Sequence, residues 1–148
     1  MSVDAVLSYV DGVFDIQLDS DGDVMTADFF DTAIIVSLFT DRRADSSEVL
    51  EPHRRRGWPG EGDGVTGSTG WVYDQSRVTG TLLAGVSAAY TQALQWMVEK
   101  GYATAMRAVA SQTAVGVSLL VTAERPNGQT SKRHFVLWED TGVRTYGA

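Results

Sequence analysis

The segment from Glu48 to Trp58 carries the most distinctive chemistry of this sequence. It places three consecutive arginines beside a glutamate, a proline, a histidine and a tryptophan, in the order Glu51-Pro52-His53-Arg54-Arg55-Arg56-Gly57-Trp58. Arginine pairs with carboxylates through two parallel hydrogen bonds and stacks on aromatic rings, and arginine and tryptophan are enriched at the energetic centres of protein interfaces. The segment therefore predicts a protein-binding surface, with the site residues Glu51, Pro52, Arg54, Arg55, Arg56 and Trp58.

The charge distribution limits which partners fit these arginines. The chain has 19 acidic and 12 basic residues and a net charge of -7, which disfavours binding to nucleic acid or to an anionic membrane. Residues 1–41 contain nine aspartates and no lysine or arginine, whereas five arginines lie between Arg42 and Arg56. This asymmetry predicts a charged docking surface and no nucleic-acid partner. Two simpler interpretations stay open: a solvated basic loop, and an internal salt-bridge network that neutralises the acidic segment.

The sequence offers few of the groups that catalysis requires. It contains no GxSxG nucleophile motif, no phosphate-binding glycine loop and no cysteine. Two carboxylates suffice for glycoside hydrolysis, and Glu51 with Asp63 or Asp74 is an available pair. With thirteen aspartates and six glutamates in the chain, however, some such pair is inevitable. We therefore predict no enzymatic activity, no catalytic residue and no cofactor, with a glycoside hydrolase as the alternative.

The spacing of candidate ligands also disfavours a metal site. The histidines, His53 and His134, lie 81 positions apart, and cysteine ligands are absent. Alternate residues of Asp19–Asp23 are aspartates, as in the first half of a calcium loop. Val24 and Phe30, however, stand where that loop requires glycine and glutamate. The sequence therefore predicts a turn at Asp19–Asp23 and no metal site.

A β-hairpin followed by a helix is predicted before residue 41. Apolar and polar residues alternate over 14–18 and resume over 23–26, on either side of an Asp-Gly turn. A helix from about 29 to 40 follows, with Asp31 in its first turn. Its apolar residues cover more than one stripe, so we expect it to pack against more than one neighbour. The β-branched run Ile34-Ile35-Val36 leaves a strand as the alternative.

Residues 41–80 are rich in glycine and charge and are predicted to form a long interaction loop with little share in the core. Loops of this length in a compact domain are usually functional or disordered. The aromatic residues Trp58, Trp71 and Tyr73 favour order, because aromatic side chains seek contacts. We therefore expect this region to mediate binding.

The strongest helical signal covers 81–100, where apolar residues recur at spacings of three and four. Gly101 follows and suits the left-handed conformation that closes helices. Strands are predicted after it, near 103–110, over Val115–Ala123 and over His134–Trp138, with a turn at Asn127-Gly128 between the last two. Two helices and an antiparallel sheet define an α+β fold, which we expect to form one domain over residues 1–148.

No part of the sequence predicts insertion into a membrane or transport across one. Apolar runs fall short of the roughly 18 residues of a membrane span. The first residues, Met1-Ser2-Val3-Asp4, lack the basic region of a secretory signal. We therefore expect no membrane span and synthesis in the cytoplasm.

Four motifs follow one another in a specific order and spacing. They are Asp31–Ala44, Arg55-Arg56-Gly57-Trp58, Gln75-Ser76-Arg77, and Ala93–Met97 with Gly101. Together, over residues 13–125, they resemble the phage Mu gene-46 family of contractile-tail baseplate proteins. Pro59 departs from that pattern, since a second tryptophan is expected there. This family in turn resembles the gene-25-type wedge and sheath-initiator proteins, whose fold is called lysozyme-like although their role is structural.

The resemblance implies a structural role in the tail baseplate of the virion, with assembly in the host cytoplasm. Gene-25-type proteins contact a helical core bundle, formed by the large wedge proteins, through a Glu-Pro-Arg motif. Glu51 and Pro52 match this motif, while His53 is interposed before Arg54. The expected partners are therefore the large baseplate wedge proteins, the tail sheath subunit and tail hub or tube proteins.

Sheath initiation in these proteins uses strands on which the first ring of sheath subunits assembles. The candidate here is an exposed strand over residues 132–140, with the strand-addition residues Phe135, Val136, Leu137 and Trp138. An edge strand presents unpaired N–H and C=O groups with which another chain can extend the sheet. Two alternative functions remain. One is a peptidoglycan hydrolase, which the supply of carboxylates and the lysozyme-like label would fit. The other is a small acidic phage protein that binds a host factor, which the charge asymmetry alone would fit.

Overall fold

The computed structural model describes residues 3–10, 13–57, 67–73, 78–114 and 116–139. Within them the chain has the predicted α+β fold, with two α-helices, a C-terminal antiparallel sheet and a small N-terminal β-region. The helices are α1 (Phe29–Phe39) and α2 (Gly80–Glu99). The strands are β1 (Val3–Ala5), β2 (Leu7–Val10), β3 (Val13–Ile16), β4 (Thr26–Asp28), β5 (Ala105–Gln112), β6 (Gly116–Glu124) and β7 (Thr130–Glu139).

The N-terminal β-hairpin lies earlier in the chain than predicted, because β3 pairs with β2 rather than with the segment after the Asp-Gly turn. That turn is present: Gly22 has a φ of 83°, and a bridge joins Leu18 to Val24. Beyond the bridge the two arms diverge and residues 3–10 lie between them. Val6 bonds to both arms, since its N–H donates to Met25 O at 2.8 Å and its C=O accepts from Gln17 N at 2.9 Å.

Helix α1 packs against several elements, as its broad apolar surface predicts. Leu38 is completely buried in the core. The hydroxyl of Thr32 donates to Ala5 O in β1 at 2.9 Å. Asp31 forms an ion pair with Arg133 in β7. These contacts on different sides explain why a β-branched run forms a helix here, since tertiary packing overrides local propensity.

Helix α2 matches the predicted helix to within one residue at each end. The hydroxyl of Thr79 caps it by accepting from Leu82 N at 3.1 Å. At its other end Gly101 has a φ of 79°, the predicted left-handed conformation. One face lies in the core, with the completely buried side chains Val86, Tyr90, Leu94 and Met97. Among the described residues, no helix combines the length and apolar character needed to cross a membrane.

The C-terminal sheet has the strand order β5-β6-β7 with antiparallel pairing throughout, and its three strands were all predicted. The third begins four residues earlier than expected because the turn at Asn127-Gly128 is tight. Gly128 has a φ of 84°, and Arg125 N donates to Gln129 O at 2.8 Å. Side chains alternate along β5, so that its even-numbered residues from Met106 to Ala110 face the core.

The two helices cover different parts of the sheet. Helix α2 lies along β5, whereas α1 reaches β7, where the rings of Phe39 and Phe135 meet edge to face at 5.3 Å between centroids. The indole N–H of Trp96 in α2 donates to the hydroxyl of Ser37 in α1 at 2.8 Å and links the helices. The core therefore lies between the helices and one face of the sheet.

The segment predicted as a long loop is irregular in its described parts, apart from two short 3-10 helices, Pro52–Arg54 and Gly70–Tyr73. Residues 68–71 are buried, so the expectation that this region has little share in the core is wrong for them. The glycine content of this region suggested an exposed loop, but Gly70 is closely packed, since a Cβ there would lie 2.3 Å from the ring of Tyr90. A side-chain-free residue can thus mark close packing as well as a surface turn.

Candidate protein interface

We define residues 41–57 as the arginine loop. The short buried segment 68–71 anchors this loop to the end of α1. The main chain of Ser68 donates to Thr40 O and accepts from Arg42 N, both at 2.9 Å. The indole N–H of Trp71 donates to Arg42 O at 2.8 Å. Because Trp71 is itself buried, the start of the loop is fixed against the body of the protein.

Two arginines hold the middle of the arginine loop through main-chain carbonyl groups. The guanidinium of Arg55 donates to Val49 O and to Leu50 O, each at 2.8 Å. That of Arg43 donates to Pro52 O at 3.1 Å and to Arg56 O at 3.3 Å. These bonds use the planar fork of arginine to tie separate turns of main chain together. Arg55, a predicted site residue, therefore supports the loop from within.

A tight turn at Asp45 begins the outer part of the loop. One carboxylate oxygen of Asp45 accepts from the hydroxyl of Ser47, from Ser47 N at 2.8 Å and from Glu48 N at 3.2 Å. In return, the side chain of Glu48 accepts from Asp45 N at 3.1 Å. The hydroxyl of Ser47, then its N–H, favour the ionised carboxylate and lower the pKa of Asp45 below its ordinary value.

The predicted motif Glu51-Pro52-His53-Arg54 lies at the exposed end of the loop. Its last three residues form a 3-10 helix, and Glu51 pairs with Arg54 at 2.9 Å. Both side chains remain more than half exposed, at 55% and 69%. An ion pair with this exposure contributes little to stability. Glu51 and Arg54 can therefore exchange their mutual contact for a partner's charges at small cost.

Arg56 differs from its neighbours because its main chain has a positive φ of 50°, which is uncommon for a residue other than glycine. This turn directs its guanidinium over the indole of Trp71, at 4.7 Å from the ring centroid. The same side chain pairs with Asp41 at 3.0 Å. Gly57 follows with a φ of 104°. Arg56 thus joins the exposed loop to the buried tryptophan.

A groove of about 640 Å³ runs between the arginine loop and the segment that anchors it. Its walls combine apolar and charged side chains, from Glu48, Val49, Leu50, Glu51, Arg54, Arg56, Trp71 and Val72. Leu50 is 83% exposed at this groove. Apolar walls with charges of both signs fit a protein segment with apolar and charged side chains, because interface centres combine buried apolar anchors with paired polar groups.

The structure brings most of the predicted interface residues together. Glu51, Arg54 and Arg56 line the groove, and Pro52 begins the adjoining 3-10 helix. Trp58 lies outside the described residues. Sequence reasoning missed Leu50 and Trp71 as groove residues. The only signal for Trp71 was its aromatic side chain, since no pattern relates it to the arginines before it in the chain.

The two edges of the C-terminal sheet differ in how they are covered. At β5, Thr91 Oγ1 donates to Ala108 O and accepts from Ala108 N, each at 3.1 Å, and Ser87 Oγ accepts from Ala110 N at 2.8 Å. Hydroxyls of α2 thus bond to the edge of β5 at Ala108 and Ala110. Within the described residues, no side chain bonds to the main chain of β7 in this way. The strand predicted for sheet extension therefore has the less protected edge.

The predicted strand-addition residues occupy the second half of β7. Phe135 and Leu137 are buried, and Val136 is half-buried. Leu137 forms a bulge, because Ser118 pairs with Val136 whereas the preceding residue of β6 pairs with Trp138. The side chain of Trp138 and residue 140 lie outside what the structure describes. The four predicted residues would contribute to strand addition through their main-chain groups, since the side chains of Phe135 and Leu137 belong to the core.

The alternative chemistries find little support in the described geometry. Glu51 is exposed and paired with Arg54, whereas the general acid of a glycosidase lies in an apolar pocket that raises its pKa. The suggested partners of Glu51, Asp63 and Asp74, lie outside the described residues. Asp19 Oδ1 accepts from the main-chain N–H groups of the turn that it begins, at 2.9 and 3.0 Å, as the turn prediction requires. Among the described residues, no cluster of three or more His, Asp or Glu side chains could hold a metal ion.

Comparison with known proteins gives concordant matches. The family model for phage protein GP46 matches residues 30–130. The Mu-like prophage FluMu protein gp46 of Haemophilus influenzae is 32% identical over 136 residues, which cover 89% of this chain and 94% of that protein. The baseplate protein gp46 of Escherichia phage Mu is 31% identical over 118 residues, which cover 76% of this chain and 81% of that protein. The resemblance seen in the motifs is confirmed, and the chain belongs to the GP46 family of phage proteins.

Proposed function

We propose that this chain is a structural, non-enzymatic protein of a contractile-tail baseplate wedge, that it docks on the wedge core bundle through the arginine loop and that it helps to initiate the sheath. The baseplate role is supported by the phage Mu relative, which is named a baseplate protein. The docking role rests on the groove beside the arginine loop. The protein would be assembled in the host cytoplasm and reside in the virion tail baseplate, where hub or tube proteins are further neighbours.

The groove is lined by apolar and charged side chains, which an amphipathic helix of the core bundle would complement. Leu50 is the exposed apolar side chain of the loop and can pack against an apolar stripe of a helix. Glu51 and Arg54 line the same groove with opposite charges, so that they can pair with charged residues beside that stripe. Such pairs fix register and partner choice more than raw affinity. This arrangement would make the docking specific for the large wedge proteins.

Arg54→Glu is the variant that tests docking most directly. It reverses an exposed charge and leaves Arg55, which holds the loop, in place. We expect binding to the purified core-bundle complex of the large wedge proteins, measured by biolayer interferometry, to weaken by about tenfold or more, the equivalent of about 1.4 kcal/mol.

Arg107→Glu is the matched control, because Arg107 is an exposed arginine on β5. It changes the net charge equally and should leave binding unchanged. Circular dichroism checks that both variants melt like the parent protein. Equal binding by Arg54→Glu and the parent would refute the docking role of the loop.

The sheath subunit is proposed to extend the C-terminal sheet at β7 rather than at β5. Hydroxyls of α2 already bond to the main chain of Ala108 and Ala110 on β5. Strand addition there would require those bonds to break, whereas the described part of the chain contains no such side-chain bond to β7. The difference between the edges therefore selects the side on which a new strand joins.

Hydrogen–deuterium exchange with purified sheath subunit distinguishes the two edges. On addition of sheath, amides within residues 132–139 should exchange more slowly, while those of 105–112 should keep their rates. New protection confined to β5, or no change at either strand, would contradict sheath initiation by β7. The β5 amides serve as the internal control, since they belong to the same sheet and the same sample.

A zymogram addresses the non-enzymatic part of the proposal. Purified protein at ample concentration should produce no clearing in a peptidoglycan gel. Clearing that disappears in Glu51→Gln would instead favour the peptidoglycan hydrolase.

A further inference from the structure

A second exposed apolar surface lies in the N-terminal β-region and involves no residue of the arginine loop. Ile16, Leu18 and Val24 are 49%, 63% and 46% exposed. Leu18 and Val24 face each other across the strand bridge, and Ile16 lies two residues before Leu18. Since side chains alternate along extended chain, all three lie on one face. We call these three residues the apolar tip.

Acidic residues are the neighbours of the apolar tip along the chain. Asp15, Asp19, Asp21 and Asp23 are all exposed. Within the described residues, none of the four forms an ion pair. Asp19 uses one carboxylate oxygen to accept from the amides of Asp21 and Asp23, at 2.9 and 3.0 Å, and so shapes the turn. The other aspartates add negative charge that no ion pair among the described residues balances, and we call the four residues the acidic rim.

The composition of this surface identifies the partner that it fits. Exposed apolar side chains that cluster within a polar rim are typical of protein interaction sites. Residues 1–41 contain no lysine or arginine, so the charge that complements the rim must come from elsewhere. A second copy of the chain is disfavoured because each copy carries a net charge of -7. Charge complementarity therefore favours a different protein with a basic surface.

We propose that the apolar tip and acidic rim bind a basic, apolar segment of another protein in the baseplate. This inference rests on the proposed baseplate location and not on docking by the arginine loop. The chain would then have two separate contacts of opposite charge character. The apolar side chains supply the buried area, and the aspartates select a partner segment that carries lysine or arginine.

Site-specific photocrosslinking in assembled particles tests this contact. A benzoylphenylalanine at position 18 of the full chain is activated in purified particles, and the crosslinked peptides are sequenced. We expect one dominant product, with a segment of a different protein that has a net positive charge. The double variant Asp21→Asn/Asp23→Asn, which leaves Asp19 and its turn in place, should reduce the yield several-fold.

Controls separate this inference from the proposed function. Benzoylphenylalanine at the exposed position 81, at the start of α2, gives the background yield. Crosslinking to a second copy or to a segment without positive charge would overturn the inference, as would a yield at background or one unaffected by the double variant. Benzoylphenylalanine at position 50 reports on docking of the arginine loop. Crosslinking at position 50 but not at position 18 would contradict only this inference, and crosslinking at position 18 but not at position 50 would contradict only the proposed docking.

Discussion

The core around α2 and the arginine loop are held together by different interactions. In the core, Leu94 and Met97 are completely buried and are held by packing. In the loop, Arg43 and Arg55 hold the main chain by hydrogen bonds to carbonyl groups. Apolar packing is collective, because each buried side chain touches many others. The loop bonds are local and partly exposed. A change in the path of the loop should therefore leave the core packing in place, as the proposed docking by the loop requires.

The two regions meet where Gly70 contacts Tyr90. Gly70 belongs to the segment after the loop, and Tyr90 is completely buried in α2. The loop is thus anchored on the core at a point of close packing, although its outer half depends on polar bonds. This arrangement predicts that mutations at the junction affect both regions, while mutations farther out affect only the loop.

Leu94→Ala should produce the largest loss of stability, because it removes a completely buried side chain from the core. We expect the free energy of unfolding, measured by urea denaturation, to fall by about 2–5 kcal/mol. Leu50→Ala is the matched control. Since Leu50 is 83% exposed, its substitution should change stability by about 0.5 kcal/mol or less. Similar losses for the two leucines would remove the distinction between core and loop.

Gly70→Ala tests the junction of the two regions. The added Cβ would lie 2.3 to 2.6 Å from ring atoms of Tyr90, so that the buried ring must move. We expect a loss of about 1–3 kcal/mol in urea denaturation, the usual cost of overpacking. Gly80→Ala provides the control, because a Cβ there meets no atom within 4 Å and should cost nothing measurable. Tolerance of Gly70→Ala would mean that the loop is not anchored at this point.

Arg55→Met separates local order from global stability. The substitution keeps a long side chain but removes the bonds to Val49 O and Leu50 O. Because these carbonyls can bond to water, we expect about 1 kcal/mol or less in global unfolding. Amides of residues 49–56 should nevertheless exchange hydrogen faster, as measured by mass spectrometry. A global loss equal to that of Leu94→Ala would show that the loop and the core unfold as one unit.

Periodicity predicted the elements whose partners lie nearby in the chain. Helix α2 and the C-terminal strands follow from regular apolar spacing and clear turn glycines, such as Gly101 and Gly128. The pairing of the N-terminal strands could not be predicted in the same way. Alternation identifies a strand but not its partner, and the main-chain bonds of Val6 to both arms leave no trace in the residue pattern.

Residue types predicted the exposed part of the candidate interface but not its support. The groove does contain Glu51 and Arg54, which the sequence singled out. Arg54 and Arg55 are equivalent in the residue pattern, yet their side chains differ in role, because main-chain carbonyls accept from Arg55. Contacts of that kind depend on the path of the loop. The hydrogen bond from Trp71 to Arg42 O joins residues 29 positions apart and could not be predicted for the same reason.

The smallest expected effect concerns the pH dependence of the arginine loop at Asp45. The folded loop lowers the pKa of Asp45, chiefly through the hydroxyl and N–H of Ser47. A lowered pKa stabilises the fold above the unfolded value of about 3.9, and this contribution is lost as pH falls through the folded value. An NMR titration should therefore give Asp45 a lower midpoint in the native chain than in urea. Since the side chain is exposed, only the turn around Ser47 should loosen in that acid range, and simultaneous loss of core signals would show that the loop is not independent of the core.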